Sequence, residues 1–228
     1  MENKEINIEV VKTVAKGLQE LKQKVAFVGG AVISLYADDP AADEVRPTRD
    51  IDITVDLRSF SDWAKMQERL AELGFSPAAD EKVICRYKFH DIIVDIMPSE
   101  DSSIGPSNPW YKPGLKELEK INLEADLYIF TLPLPYFLAT KFSAFRSRGK
   151  GDYRTSHDFE DIIYITDNRI NFVDEIRKST GAVKEFLQEQ YRLVLKDKYK
   201  EEIISCHLSS YSQDRLSLIL EKIKSILD

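Results

Sequence analysis

Residues 47–55 read PTRDIDITV and place Asp50 and Asp52 one residue apart in an otherwise strand-forming stretch. Aspartate is depleted in strands, so something must offset the cost of the pair. Strand side chains alternate, which puts Asp50, Asp52 and Thr54 on one face and Ile51, Ile53 and Val55 on the other. The isoleucine–valine face packs on a core. The opposite face begins with two carboxylates about 7 Å apart along the strand. Such a pair repels unless a cation neutralises it or water screens it. Mg²⁺ takes carboxylate oxygens together with substrate phosphates, and uses one or two protein carboxylates to do so. D-x-D on a strand therefore suits a divalent ion holding a nucleoside triphosphate. The plain alternative is an exposed edge strand with solvated acids.

Three further features bear on that choice. Residues 24–30, KVAFVGG, read as a strand ending in Gly29-Gly30 and running into a helix, a geometry that lets backbone amides approach phosphate oxygens. Asp95 is a lone acid in the apolar run DIIVDIMP, where a charge is costly to bury unless it is paired or on a metal. Lys141 opens the segment KFSAFRSRGKGDYR, in which Lys141, Arg146, Arg148, Lys150 and Arg154 face Asp152 alone. That basic strip is either a solvated helix face or a surface that meets phosphates.

The elements that must position these residues follow from periodicity. Val11, Val14, Ala15, Leu18 and Leu21 recur at helical spacing, which predicts an opening helix over 9–22. AVISLYA, after the glycine pair, reads as a second helix, and 38–48 as a polar connection. Ser59 or Ser61 caps a helix burying Trp63, Met66, Leu70 and Leu73, with Gly74 ending it. EKVICRYKFHDIIVDIMP reads as a hairpin turning near His90-Asp91, with Ile93, Asp95 and Met97 on one face of its second arm. Residues 102–114 read as a loop, and INLEADLYIFTLPLP as one or two strands closed by Pro133 and Pro135. From Tyr136 onward the pattern is helical. The expected fold is α+β: a mixed-sheet lobe with flanking helices over 1–132, then a helical lobe over 133–228.

Composition excludes several classes. With 43% hydrophobic and 31% charged residues the chain is an ordinary globular protein, long enough at 228 residues to build a substantial core. No window approaches a membrane-spanning run, and the charged N-terminus lacks a signal-peptide core. Cys85 and Cys206 lie far apart, which argues for reduced thiols and a cytoplasmic protein. Three unclustered histidines make zinc a poor fit. The net charge of −7 opposes non-specific adhesion to nucleic acid over the whole surface.

A glycine pair after a strand, D-x-D on the next strand and an aspartate on a later one resemble the nucleotidyltransferase superfamily that includes polymerase β. Within it FVGGAVISLY, RPTRDIDITV and KFSAFRSRGKGDYRTSHDFEDIIYI resemble the AbiEii/AbiGii-type nucleotidyltransferases, many of them toxins of toxin–antitoxin pairs. That family reads G-G-x-x-L, then [ST]-x-D-[IL]-D, then a lysine-bearing helix followed by R-D-x-x-D-[IL]. The resemblance spans about residues 25–166. It implies Gly29 and Gly30 at the phosphates, Thr48 beside the metal site, and Asp50 with Asp52 on Mg²⁺ or Mn²⁺. Asp95 completes the carboxylate set and shares the metal, Lys141 holds the triphosphate, and Asp158 with Asp161 falls on the last acidic motif. Asp158 also has a simpler reading, as an acid three residues after Thr155 at a helix N-terminus. Two features depart from the family pattern: twenty residues separate Gly30 from Asp50, and His157 stands where arginine is common.

The implied reaction moves a nucleotidyl group from an NTP to a hydroxyl, with RNA such as tRNA as acceptor and a cognate antitoxin as partner. The rival readings are a transferase acting on a protein or small-molecule hydroxyl, and a catalytically silent nucleotide-binding or scaffold protein of the same fold.

Overall fold

Val25–Val28 is buried at every position, as expected of a strand covered on both faces. In the computed structural model, which describes residues 3–48, 50–57, 59–78, 85–101, 107–148, 151–208 and 213–228, it is β1 of a mixed sheet. The other strands are β2 (Asp50–Val55), β3 (Ser76–Pro77), β4 (Arg86–Phe89), β5 (Ile92–Pro98), β6 (Glu119–Glu124) and β7 (Leu127–Thr131). Among the described residues their order is β3-β4-β5-β2-β1-β7-β6. β2 runs antiparallel to β1 on one side and parallel to β5 on the other. The strand bearing the two aspartates is therefore interior, and the edge-strand alternative falls.

The register explains why the aspartates sit on a single face. Ile51 and Ile53 of β2 stand beside Val94 and Ile96 of β5, and all four are fully buried. The opposite face pairs Asp50 with Ile93 and Asp52 with Asp95. β4 and β5 form the expected hairpin, turning at His90, whose φ is +52°; its expected start at 81–84 lies outside the described residues.

The helices depart from expectation at their ends. α1 (Asn3–Gly17) starts earlier than its apolar stripe suggests and stops at Gly17; a 3-10 helix (Gln19–Lys24) continues the chain. The sharp break is at Gln19, where φ is +47°. The second expected helix is also 3-10, Gly30–Tyr36, in keeping with a glycine and the β-branched Val32 and Ile33, all weak α-formers. α2 (Phe60–Glu72) is capped by Ser59, whose hydroxyl accepts from the Asp62 amide at 3.1 Å. A short helix, α3 (Tyr111–Gly114), stands at the end of a segment read as loop; residues 102–106 of that segment lie outside the described residues.

The chain divides into two units. Met1–Ser34 with Glu44–Pro133 forms the first, and Leu35–Asp43 with Leu134–Asp228 the second. The second is helical: α4 (Leu134–Arg148), α5 (His157–Asn168), α6 (Phe172–Lys178), α7 (Gly181–Lys196), α8 (Lys200–Ser205) and α9 (Gln213–Ser225). Its core gathers Phe137, Phe142, Phe159, Ile162, Phe172 and Tyr191, with Tyr191 meeting Phe142 and Phe172 edge to face. No helix among the described residues is long and apolar enough to cross a membrane.

Candidate active site

The carboxylate face of β2 is shaped by the turn that precedes it. Gly29 follows the last residue of β1 with φ +73°, a conformation that glycine adopts without strain. A side chain there would begin 1.9 Å from Asp52 Oδ2. The Asp52 carboxylate thus lies directly over the Gly29 backbone, and only a glycine leaves it room. A Cβ at Gly30 would begin 3.1 Å from the Arg46 guanidinium and 3.5 Å from the Thr48 hydroxyl. The Thr48 hydroxyl donates to Asp50 Oδ1 at 3.0 Å. Gly29, Gly30, Thr48, Asp50 and Asp52, five residues singled out by sequence, thus come together in the first unit.

Asn7 holds this arrangement from behind. It is buried on α1, its amide donates to the Arg46 carbonyl at 3.0 Å, and its oxygen accepts from the Thr48 amide at 3.1 Å. Two hydrogen bonds to the 46–48 backbone, each worth about 1 kcal/mol net, fix the hydroxyl that orients Asp50. The sequence signal was present: Asn7 sits four residues before Val11, on the stripe that otherwise carries apolar residues.

Asp95 stands in register with Asp52 across β2 and β5. Its carboxylate is taken by Arg86 of β4, whose Nε reaches Oδ1 at 2.7 Å and whose Nη2 reaches Oδ2 at 2.8 Å. Among the described residues no three histidine, cysteine, aspartate or glutamate side chains are grouped so as to hold a metal by themselves. The expected trio of Asp50, Asp52 and Asp95 is therefore a pair of carboxylates plus a third committed to a guanidinium. The oxygens of Asp50 and Asp52 still suit a hard divalent ion, because Mg²⁺ needs only one or two protein carboxylates when phosphates supply the rest. Cys85, buried beside this row, has its thiol pKa pushed up first by burial and then by the negative charge of Asp95.

The second unit brings together the other three sequence candidates. Lys141 of α4 is buried, and its ammonium lies 2.7 Å from Asp161 Oδ2 and 3.8 Å from Asp158 Oδ1 of α5. Both oxygens of Asp158 also accept from Arg148 at 2.9 Å. Asp158 and Asp161 share one helix face, as their spacing required. The cap of α5 is Ser156 rather than Thr155: the Ser156 hydroxyl accepts from the Phe159 amide at 3.3 Å, while Thr155 donates to Asp152. Asp158 spends both oxygens on Arg148, whose guanidinium grips the carboxylate at two points. Lys141, expected at a triphosphate, is committed to Asp161.

The described members of the basic strip have partners too. Arg146 bonds Gln190, Arg148 bonds Asp158, and Arg154 lies 2.7 Å from Glu202. Lys150 lies outside the described residues. Arg148 keeps 72% of its side chain exposed despite its ion pair.

The family model described as nucleotidyl transferase AbiEii toxin, type IV TA system, matches residues 15–222. No curated protein matches the chain.

Proposed function

The chain belongs to the AbiEii nucleotidyl transferase toxin family of type IV toxin–antitoxin systems, and from that premise we propose that it moves a nucleotidyl group from an NTP to a hydroxyl with a divalent metal held by Asp50 and Asp52. The observation that carries this reading is the packing of Asp52 over Gly29 in an interior strand. A side chain at 29 would collide with the carboxylate, so glycine and acid are used as a unit.

In the reaction the acceptor oxygen bonds to the α-phosphorus, the bond from that phosphorus to pyrophosphate breaks, and the hydroxyl proton passes to a base. The divalent ion, Mg²⁺ or Mn²⁺, supplies positive charge for the phosphate oxygens and for the attacking and leaving oxygens. Asp50 is oriented for it by Thr48, and Thr48 by Asn7. Gly29 and Gly30 keep side chains away from the approach of the phosphates. Asp95 is the candidate base, and it serves only once Arg86 has released it. Lys141 is the candidate partner of the β- and γ-phosphates, and it serves only by leaving Asp161.

RNA is the acceptor we favour, tRNA among its forms. The exposed side chain of Arg148 and the neighbouring Arg146 and Arg154 support it, against a net charge of −7. NTP affinity measured with and without Mg²⁺ tests the proposal. Metal-dependent binding is expected; nucleotide affinity indifferent to metal would leave the silent scaffold as the better reading.

A further inference from the structure

Arg86, Asp95 and Asp52 stand side by side across β4, β5 and β2, and next in the same row is Val28, the residue before Gly29. The row reads cation, carboxylate, carboxylate, glycine turn. A metal entering at Asp52 therefore meets, one strand over, a carboxylate whose two oxygens both accept from a guanidinium. The Arg86 backbone is not free to carry that guanidinium away. It is paired with β5 in the ladder, and the Cys85 carbonyl before it accepts from the Ile96 amide at 2.8 Å. Release of Asp95 falls to side-chain rotation, and the Arg86 side chain, 24% exposed against 13% for Asp95, has solvent to turn into.

We propose that Arg86 is a resident competitor of the metal: it occupies Asp95 while no divalent ion is bound, sets the ion concentration at which the carboxylate face loads, and gives Asp95 up on loading. The inference rests on the reading of Asp50 and Asp52 as metal ligands. Its physical basis is direct. A guanidinium in bidentate contact holds both oxygens of Asp95 and offsets the repulsion between neighbouring carboxylates. The same charge repels an incoming cation at close range, so the protein folds with the row neutralised in part, and metal binding must displace what neutralised it.

Calorimetric titration with Mn²⁺, checked by the paramagnetic signal of the free ion, tests this on the full-length protein. Arg86→Gln should bind Mn²⁺ at least about tenfold more tightly than wild type, since a positive charge has been removed at close range. Arg86→Lys keeps a charge but loses the two-pronged grip, and should also bind more tightly than wild type, by a smaller factor; it decides the matter if Arg86→Gln fails to fold. Unchanged or weaker Mn²⁺ binding in the folded variants overturns the proposal. Asp52→Asn separates this from failure of the site itself. If Asp52→Asn abolishes Mn²⁺ binding while the Arg86 variants leave it unaltered, the metal site stands and the competitor role falls. If Asp52→Asn binds Mn²⁺ as wild type does, or wild type binds none, both fall together.

Discussion

Among single residues, Gly29 governs where the Asp52 carboxylate can stand. Its φ of +73° and the 1.9 Å between a would-be Cβ and Asp52 Oδ2 leave a side chain two bad options: strain the turn or push the carboxylate off its position. Gly29→Ala should cost about 1–3 kcal/mol of stability, the usual range for a non-glycine residue held in a strained backbone region, and should lower metal affinity as well. Urea unfolding and Mn²⁺ titration check the two effects. A folded Gly29→Ala protein with unaltered stability and metal affinity would mean that Asp52 does not depend on the turn. The Asn7 amide belongs to the same scale: one buried side chain holds the 46–48 backbone through both its donor and its acceptor.

At the scale of elements, α4 and α5 are joined by a closed set of charges. Lys141 and Asp161 have side chains 5% and 4% exposed, and removing Lys141 takes from the buried Asp161 and Asp158 the ammonium they share. Lys141→Ala should destabilise the protein by about 3–5 kcal/mol, while the apolar pair Lys141→Met with Asp161→Leu should recover most of that loss in thermal unfolding. Because Lys141 is the candidate partner of the β- and γ-phosphates, its replacement should also weaken NTP binding more than NMP binding, and unchanged stability in Lys141→Ala would mean that it has no structural duty. Much of this level was legible in the sequence. Alternation gave the core and carboxylate faces of β2, and the spacing of Asp158 and Asp161 put them on one side of α5. What stayed hidden depends on partners distant in sequence. The buried ion pair of Lys141 spans 20 residues, and no periodicity specifies it. Arg86 could have been found: counting four residues back from His90 and four on from Asp91 sets it opposite Asp95, once a two-residue turn is assumed. The expected start of α1 falls late because Asn7 interrupts an apolar count, though the hydrogen bonds of Asn7 are what α1 contributes to the site.

At the scale of the whole molecule the question is charge. A protein of net charge −7 binds RNA only through a local surface. The arginines of the basic strip that are described already make bonds within the protein, to Gln190, Asp158 and Glu202, so a phosphate there competes with or adds to an existing partner. Replacing Arg146, Arg148 and Lys150 with glutamine should weaken RNA binding and flatten its salt dependence by about 0.7–0.9 per lost contact, with NTP affinity kept. An unchanged slope with unchanged tRNA affinity would remove RNA from the acceptors and favour a protein or small-molecule hydroxyl.

Whether Asp50 and Asp52 hold the metal for nucleotidyl transfer is decided by one assay. Purified protein is given each of the four NTPs labelled at the α-phosphate, with total cellular RNA, and incorporation is followed alongside pyrophosphate release. Label in RNA and stoichiometric pyrophosphate are expected with Mg²⁺ or Mn²⁺, neither product with chelator, and neither in a folded Asp52→Asn protein of unaltered or raised stability, where two repelling carboxylates have become one. Transfer at the wild-type rate by a protein carrying both Asp50→Asn and Asp52→Asn would contradict it.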